Sequence, residues 1–312
     1  MKTSPVALAD LSNSVMAVLP LGRHGDLSID KPENTRLIRH VEAGGVSTLL
    51  YGGNANFYHV GLYEFAGILD FLAEAAAPGS WVIPSVGPDF GKMLDQADVL
   101  RSRAFPTAMV MPPAAPMTQA GVEAGVQSFA TRFGRPVILY IKSEGQIAPE
   151  GVKRLVDAGV IAAVKYAIAR SDPKEDRYLQ RLVHLIDRKS IVSGMGERPA
   201  LVHMRDFDLA GFTSGSVCIA PRSARAMLQA CRRKDWAAAE RLRQFFIPLE
   251  DFREKLSFIT VLHEAVTLSG IADMGVVLPL LSNLEPQHHF ALKKLVTALI
   301  ASDRAAAAAA AA

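Results

Sequence analysis

The chain has 312 residues and a mass of 33.6 kDa, with 50% hydrophobic and 21% charged residues. This composition is typical of a globular protein with a large core, and it excludes a disordered chain. Lys and Arg number 34 against 31 Asp and Glu, which gives a formal net charge of +3. This excess is too small to indicate the basic surface that nucleic-acid binding requires. No run of about 18 apolar residues occurs. We therefore expect neither a nucleic-acid partner nor a membrane span.

The cysteines and the N-terminus indicate a cytoplasmic protein. Cys218 and Cys231 are too few for a disulfide framework or a four-cysteine zinc site, and their neighbours are apolar or basic. Residues 1–10 contain one lysine and no apolar run of signal-peptide length. We expect reduced thiols and a cytoplasmic location.

Two motifs for bound groups begin in the sequence but are not completed. The HExxH motif that opens at His263 lacks its second histidine. The GxGxxG motif that opens at Gly194 has proline in place of its third glycine. We therefore expect no metal and no cofactor.

Short apolar runs alternate with longer helical stretches along most of the chain. Most runs are continuously apolar, which suits parallel strands covered on both faces. There are eight: 15–19, 46–51, 81–86, 108–111, 136–141, 160–164, 190–193 and 211–217. Eight such units predict an α/β fold, a (β/α)₈ TIM barrel over residues 12–220. A doubly wound open sheet is the alternative, but the dinucleotide motif that would favour it is incomplete.

The residues after the eighth run predict a C-terminal helical extension, 221–304, packed on the barrel. No strand pattern occurs there, and helices are predicted over 221–233, 235–256, 258–269 and 286–301. Within the barrel, Asp30 and Asp172 each precede a proline and then a glutamate, which predicts two helix starts. Residues 305–312 are a poly-Ala tail, to which no function is assigned.

The strongest candidate for chemistry is Lys165, which ends the sixth apolar run. Catalytic groups of TIM barrels lie at the C-terminal ends of the strands. Burying an ammonium group there is costly, which lowers its pKa and frees the amine as a Schiff-base nucleophile. The alternative is a lysine that reaches the barrel rim or pairs with a carboxylate in a loop.

Tyr140 ends the fifth run, next to the strand of Lys165. Neighbouring strands lie about 4.8 Å apart, so the phenol can reach the amine or a carbonyl bound to it. A phenol in that place can transfer protons during imine formation. The alternative is an ordinary aromatic side chain at a strand end.

The order of these features resembles the dihydrodipicolinate synthase / N-acetylneuraminate lyase superfamily of class I aldolases. The similar segments include 16–21 with 25–30, 44–56 and 82–87, and the resemblance covers roughly residues 12–300. Its most specific element is Tyr140 with Lys165, 25 positions apart, in the places of the family tyrosine and imine lysine. The resemblance implies a Schiff base with a 2-oxo acid substrate. It also implies a homo-oligomer, either a dimer or a tetramer.

Several positions depart from the family pattern. Gly53 and Asn54 replace the paired threonines that hold the pyruvyl carboxylate in the family, and Asn56 replaces the glutamate of the same loop. Pro113-Ala114 replaces an aromatic pair that helps to build a family interface, and the loop after Tyr140 lacks the substrate-binding arginine. The imine chemistry is therefore expected with a different substrate pocket.

The candidate substrate-binding residues follow from these places. We expect the backbone N–H groups of Gly52, Gly53 and Asn54, with the Asn54 amide, to bind the carboxylate, although turn geometry alone explains the glycines. Ser214 and Ser216 are candidate hydroxyl contacts or, alternatively, structural serines.

Lys142 lies two positions after Tyr140 and, if the strand continues, on the same face. It can replace the missing arginine as a point charge and lower the pKa of Lys165. The alternative is a loop lysine paired with Glu144.

The predicted function is a Schiff-base-forming lyase acting on pyruvate or on a sugar-derived 2-oxo acid, by aldol cleavage or condensation. Two alternatives remain open: a dehydratase of a deoxy-sugar acid that uses the same imine, and a barrel that binds a 2-oxo acid without turning it over.

Overall fold

A computed structural model describes residues 1–311 of the chain and the side chains of residues 1–306. It shows a closed barrel of eight parallel strands in the order β1 to β8, with β8 paired to β1. The strands are β1 (Met16–Val18), β2 (Thr48–Tyr51), β3 (Trp81–Val86), β4 (Met109–Val110), β5 (Val137–Ile141), β6 (Ile161–Tyr166), β7 (Ile191–Ser193) and β8 (Gly211–Ser214). The TIM barrel is confirmed, and its closure excludes the doubly wound open sheet.

Helices surround the barrel; the first precedes β1, and the next seven connect successive strands. They are α1 (Leu8–Asn13), α2 (Lys31–Ala43), α3 (Leu62–Ala75), α4 (Phe90–Arg101), α5 (Gln119–Phe133), α6 (Pro149–Asp157), α7 (Arg177–Leu185) and α8 (Glu197–Asp206). The strands β2 and β3 are buried at every position, as their continuous apolar sequence requires. Within residues 1–311, no helix is both long and apolar enough to cross a membrane.

The two predicted helix starts have different outcomes. Asp30 caps α2, since its Oδ1 accepts a hydrogen bond from the Glu33 N–H at 3.1 Å. Asp172 does not begin a helix: its carboxylate accepts from the Lys174 N–H within a turn. The helix α7 begins five residues later, where Asp176 accepts from the Leu179 N–H. The second start was therefore predicted too early, because Asx turns and helix caps use the same side-chain hydrogen bond.

Within residues 1–311, four α-helices follow β8: α9 (Pro221–Arg232), α10 (Trp236–Lys255), α11 (Phe258–Ser269) and α12 (His289–Ala311). The first three lie within one residue of their predicted ends, and α12 begins later and ends later than predicted. The long helix α10 packs against α8 of the barrel and against α9 and α12. This packing brings its C-terminal half to the end of the barrel where the strands terminate.

Candidate active site

Lys165 lies near the C-terminal end of β6, where it is 5% exposed. Its register partner on β5 is Tyr140. Burial, helped by the positive charge of Lys142, lowers the pKa of the Lys165 amine to about 7. A large share of the amine is therefore unprotonated at neutral pH, as a nucleophile requires.

The side chains of Lys165 and Tyr140 meet through the face of the aromatic ring. Nζ of Lys165 lies 3.4 Å from the ring centroid of Tyr140, a cation–π arrangement. The sequence predicted a contact through the hydroxyl instead. Burial, with a smaller contribution from Tyr58, raises the pKa of Tyr140, so its phenol stays protonated at neutral pH and remains a proton donor.

A cavity of about 430 Å³ opens around this pair at the C-terminal ends of the strands. Its volume falls within the range of about 300–1,000 Å³ that is usual for small-molecule sites. Its walls combine apolar side chains such as Met109 and Ile259 with a few polar and charged ones. The lining residues from the barrel include Gly53, Asn54, Tyr140, Lys142, Lys165 and Thr213.

Lys142 lines the cavity with an exposed side chain. The alternative of a pair with Glu144 is not what the structure shows, because the Glu144 carboxylate pairs with Arg170. Within the part of the chain that the structure describes, the Lys142 ammonium forms no ion pair. Its charge contributes to the lowered pKa of Lys165, as the sequence predicted.

The loop after β2 places only part of the predicted carboxylate site in the cavity. Gly53 and Asn54 line it, whereas Gly52 is buried below, where an added Cβ would lie 2.9 Å from the Met109 and Ser85 side chains. The backbone N–H groups of Gly53 and Asn54 donate to no backbone oxygen of residues 1–311. The Asn54 side chain donates to the Val18 carbonyl at 2.8 Å. Two residues of the cavity lining thus have backbone N–H groups without a backbone acceptor in residues 1–311.

Ser214 and Ser216 do not line the cavity, because both hydroxyls hold buried carboxylates. The Ser214 hydroxyl donates to Glu197, and the Ser216 hydroxyl donates to Oε1 of Glu250 at 2.6 Å. Burial, with the nearby negative charge of Glu250, raises the pKa of Glu197 to about 8. The structure therefore gives both serines the structural role that was the alternative in the sequence analysis.

The C-terminal helices contribute residues to the cavity that the sequence analysis did not identify. They are Glu250 and Arg253 of α10, with Ser257, Phe258 and Ile259 at the start of α11. A signal for the first two was present, since Phe246, Leu249, Glu250 and Arg253 form one buried face of a helix. An acid and an arginine on such a face need a partner or a site.

The family model for the dihydrodipicolinate synthetase family matches residues 12–299. The chain belongs to the dihydrodipicolinate synthetase family. Membership supports a lyase of the class I aldolase type in general. A search of curated proteins found no significant match to the sequence.

Solved structures of dihydrodipicolinate synthases share the fold at low sequence identity. The enzyme from Oceanobacillus iheyensis is 19% identical with a TM-score of 0.83, over 93% of this chain and 98% of that chain. The enzyme from Bacillus clausii is 23% identical with a TM-score of 0.82, over 95% and 99%. YagE, a prophage protein of this family from E. coli K12 in complex with pyruvate, is 20% identical with a TM-score of 0.81, over 92% and 98%.

Residues that follow two strands line the cavity together with Lys165 and Tyr140. Gly53 and Asn54 follow β2, and Lys142 follows β5. Asn56 is buried in the left-handed backbone region at φ 56°, which asparagine tolerates, and its side-chain amide lies 3.5 Å from the Leu278 carbonyl.

Proposed function

We propose that the protein is a Schiff-base-forming lyase that acts on pyruvate or a sugar-derived 2-oxo acid. The single observation that supports this most is the buried Lys165 amine beside the Tyr140 ring in the lining of a cavity large enough for such an acid, where burial lowers the pKa of the amine to about 7. An ordinary surface lysine would be almost fully protonated at neutral pH and would not attack a carbonyl.

In the proposed reaction, the unprotonated Lys165 amine attacks the 2-oxo carbon and forms a carbinolamine. The Tyr140 phenol donates a proton to the carbinolamine hydroxyl, which leaves as water, and a protonated imine remains. The protonated imine then accepts the electron pair of a bond to C3 as that bond breaks, which gives an enamine. In aldol cleavage this bond joins C3 to C4, and the proton of the C4 hydroxyl passes to the phenolate of Tyr140.

The substrate carboxylate is proposed to bind the free backbone N–H groups of Gly53 and Asn54. Lys142, which also lines the cavity, would add a positive charge. Hydrogen bonds from preorganised backbone donors are effective in a cavity that excludes water, because they need no reorganisation when charge develops.

Borohydride reduction in the presence of pyruvate, followed by intact mass measurement, tests the proposal. We expect a mass increase of one reduced pyruvyl group in the wild type and none in Lys165→Ala. Lys153→Ala, which removes a half-buried lysine that pairs with Asp157 on α6 outside the cavity, is the matched control and should keep the adduct. A wild type that forms no adduct with pyruvate or longer 2-oxo acids would instead indicate binding without covalent chemistry.

We also propose a homo-oligomer, a dimer or a tetramer, as the family resemblance implies. Pro113 and Ala114 line an apolar groove with Phe90 and Met117, which are 53% and 38% exposed. Such exposed apolar side chains support a contact between subunits near this groove. Light scattering at micromolar concentration should give the mass of at least two chains, and a monomer would contradict the proposal.

A further inference from the structure

Helix α10 places an acid and an arginine in the cavity wall opposite the barrel strands. Glu250 and Arg253 are 3% and 4% exposed, and both line the cavity. They lie one helical turn apart, and Nη1 of Arg253 donates to Oε1 of Glu250 at 2.7 Å. Neither residue takes part in the proposed imine formation. Two buried charged groups in the wall of the cavity therefore call for another role.

The Glu250 carboxylate is held by one oxygen only. Its Oε1 accepts from the Ser216 hydroxyl and from Arg253, at 2.6 and 2.7 Å. Its Oε2 accepts no hydrogen bond from any side chain or backbone group that the structure describes. This oxygen keeps some accessible surface, and Glu250 lines the cavity. A Cβ at residue 196 would lie only 2.8 Å from this Oε2. Because residue 196 is a glycine, the space next to the oxygen stays open.

Arg253 links Glu250 to the predicted carboxylate site. Its Nη2 lies 3.5 Å from the Asn54 side-chain oxygen and 3.0 Å from the Phe258 carbonyl. Because the amide nitrogen of Asn54 donates to Val18, both ends of that amide have a partner. The guanidinium therefore holds Glu250 and also contacts Asn54, whose amide is oriented mainly by Val18.

We propose that Glu250 determines substrate specificity: its Oε2 accepts hydrogen bonds from hydroxyl groups on the substrate carbons beyond C3, and Arg253 is its positioning residue. This proposal deepens the proposed function and rests on it. A carboxylate oxygen accepts readily from hydroxyls but repels a second carboxylate. The substrate class is therefore a polyhydroxylated 2-oxo acid, not a 2-oxo diacid.

Reductive trapping with three acids tests this proposal: pyruvate, which has no distal carbons, 2-oxo-3-deoxygluconate and 2-oxoglutarate. In Glu250→Gln, the half-saturating concentration of 2-oxo-3-deoxygluconate should rise at least roughly tenfold, since a hydrogen bond to a charged group is lost. That of pyruvate should stay within about twofold, and that of 2-oxoglutarate should fall. Glu254→Gln on the same helix removes an exposed carboxylate that pairs with Arg198, and should change none of the three.

Equal weakening for pyruvate and the hydroxylated acid in Glu250→Gln, or no change for either, would overturn the role of Glu250. If Glu250→Gln does not fold, Ser216→Ala, which removes one donor to Oε1, should give a smaller loss for the hydroxylated acid alone.

Calorimetry on Lys165→Ala separates this proposal from the proposed function, since it needs no covalent step. That variant should bind 2-oxo-3-deoxygluconate more tightly than pyruvate, and adding Glu250→Gln should remove the difference. A variant that binds both acids equally would contradict the proposal even if the wild type forms the imine.

Discussion

The Lys165 amine lies over the ring of Tyr140, with Nζ 3.4 Å from the ring centroid. The contact joins neighbouring strands, because the two residues are register partners on β5 and β6. The ring offers partial compensation to a buried ammonium, yet burial still lowers the lysine pKa to about 7. One aromatic side chain thus supports the amine with its face and keeps its hydroxyl available as an acid.

The role of the Tyr140 hydroxyl can be separated from that of the ring. Tyr140→Phe keeps the ring below the amine and removes only the phenol. We expect reductive trapping with pyruvate to slow by roughly 100-fold or more, since general acids contribute about 10²–10⁴-fold. The thermal unfolding temperature should stay unchanged. Equal trapping rates in the variant and the wild type would assign proton transfer to another group.

Lys142 should influence both binding and the pH profile of trapping. Lys142→Met removes a positive charge that lowers the pKa of Lys165, so the pH midpoint of adduct formation should rise. The half-saturating concentration of pyruvate should rise by roughly fivefold, because an exposed ion pair contributes up to about 1 kcal/mol. The control is Lys153→Met, outside the cavity. If Lys142→Met keeps the pH profile and the pyruvate affinity of the wild type, Lys142 is a solvated loop residue without a role in the site.

The lowered pKa of Lys165 has a cost in stability that depends on pH. The folded state releases its proton near pH 7, whereas an unfolded lysine holds it to about 10.5. The cost is complete below pH 7 and disappears as the pH approaches 10.5. Each pKa unit corresponds to about 1.4 kcal/mol, so Lys165→Met should raise the free energy of unfolding by several kcal/mol at pH 6.

Denaturant unfolding at a series of pH values measures this difference between Lys165→Met and the wild type. We expect the difference to shrink steadily from pH 7 to pH 10. A difference that does not vary with pH would mean that the pKa of Lys165 is not lowered in the folded protein.

The barrel was predictable because its strands need continuous apolar sequence, and this pattern is local. Even β4, two residues long, lies within the predicted run 108–111. The neighbourhood of Lys165 and Tyr140 was also predictable, because consecutive strands of a TIM barrel are adjacent. Each of these predictions depends on residues close in sequence or on a known strand order.

The far wall of the cavity was not predictable in the same way. Glu250 reaches the site through the packing of α10, and its donor Ser216 is 34 positions away in the chain. The helical spacing of Phe246, Leu249 and Glu250 indicated a buried acid, but it carries no information about which barrel end the helix meets. For the same reason Ser214 and Ser216 were placed as substrate contacts, since their carboxylate partners lie on other elements.

The most direct test of the account is the position of the trapped group among the lysines of the wild type. Two lysines line the cavity, Lys165 and Lys142. Peptide mapping by mass spectrometry after borohydride reduction with pyruvate identifies which one carries the adduct. We predict the pyruvyl group on the peptide that contains Lys165, with none on Lys142. An adduct on Lys142, or on any lysine outside the cavity, would contradict the assignment of Lys165 as the imine-forming residue.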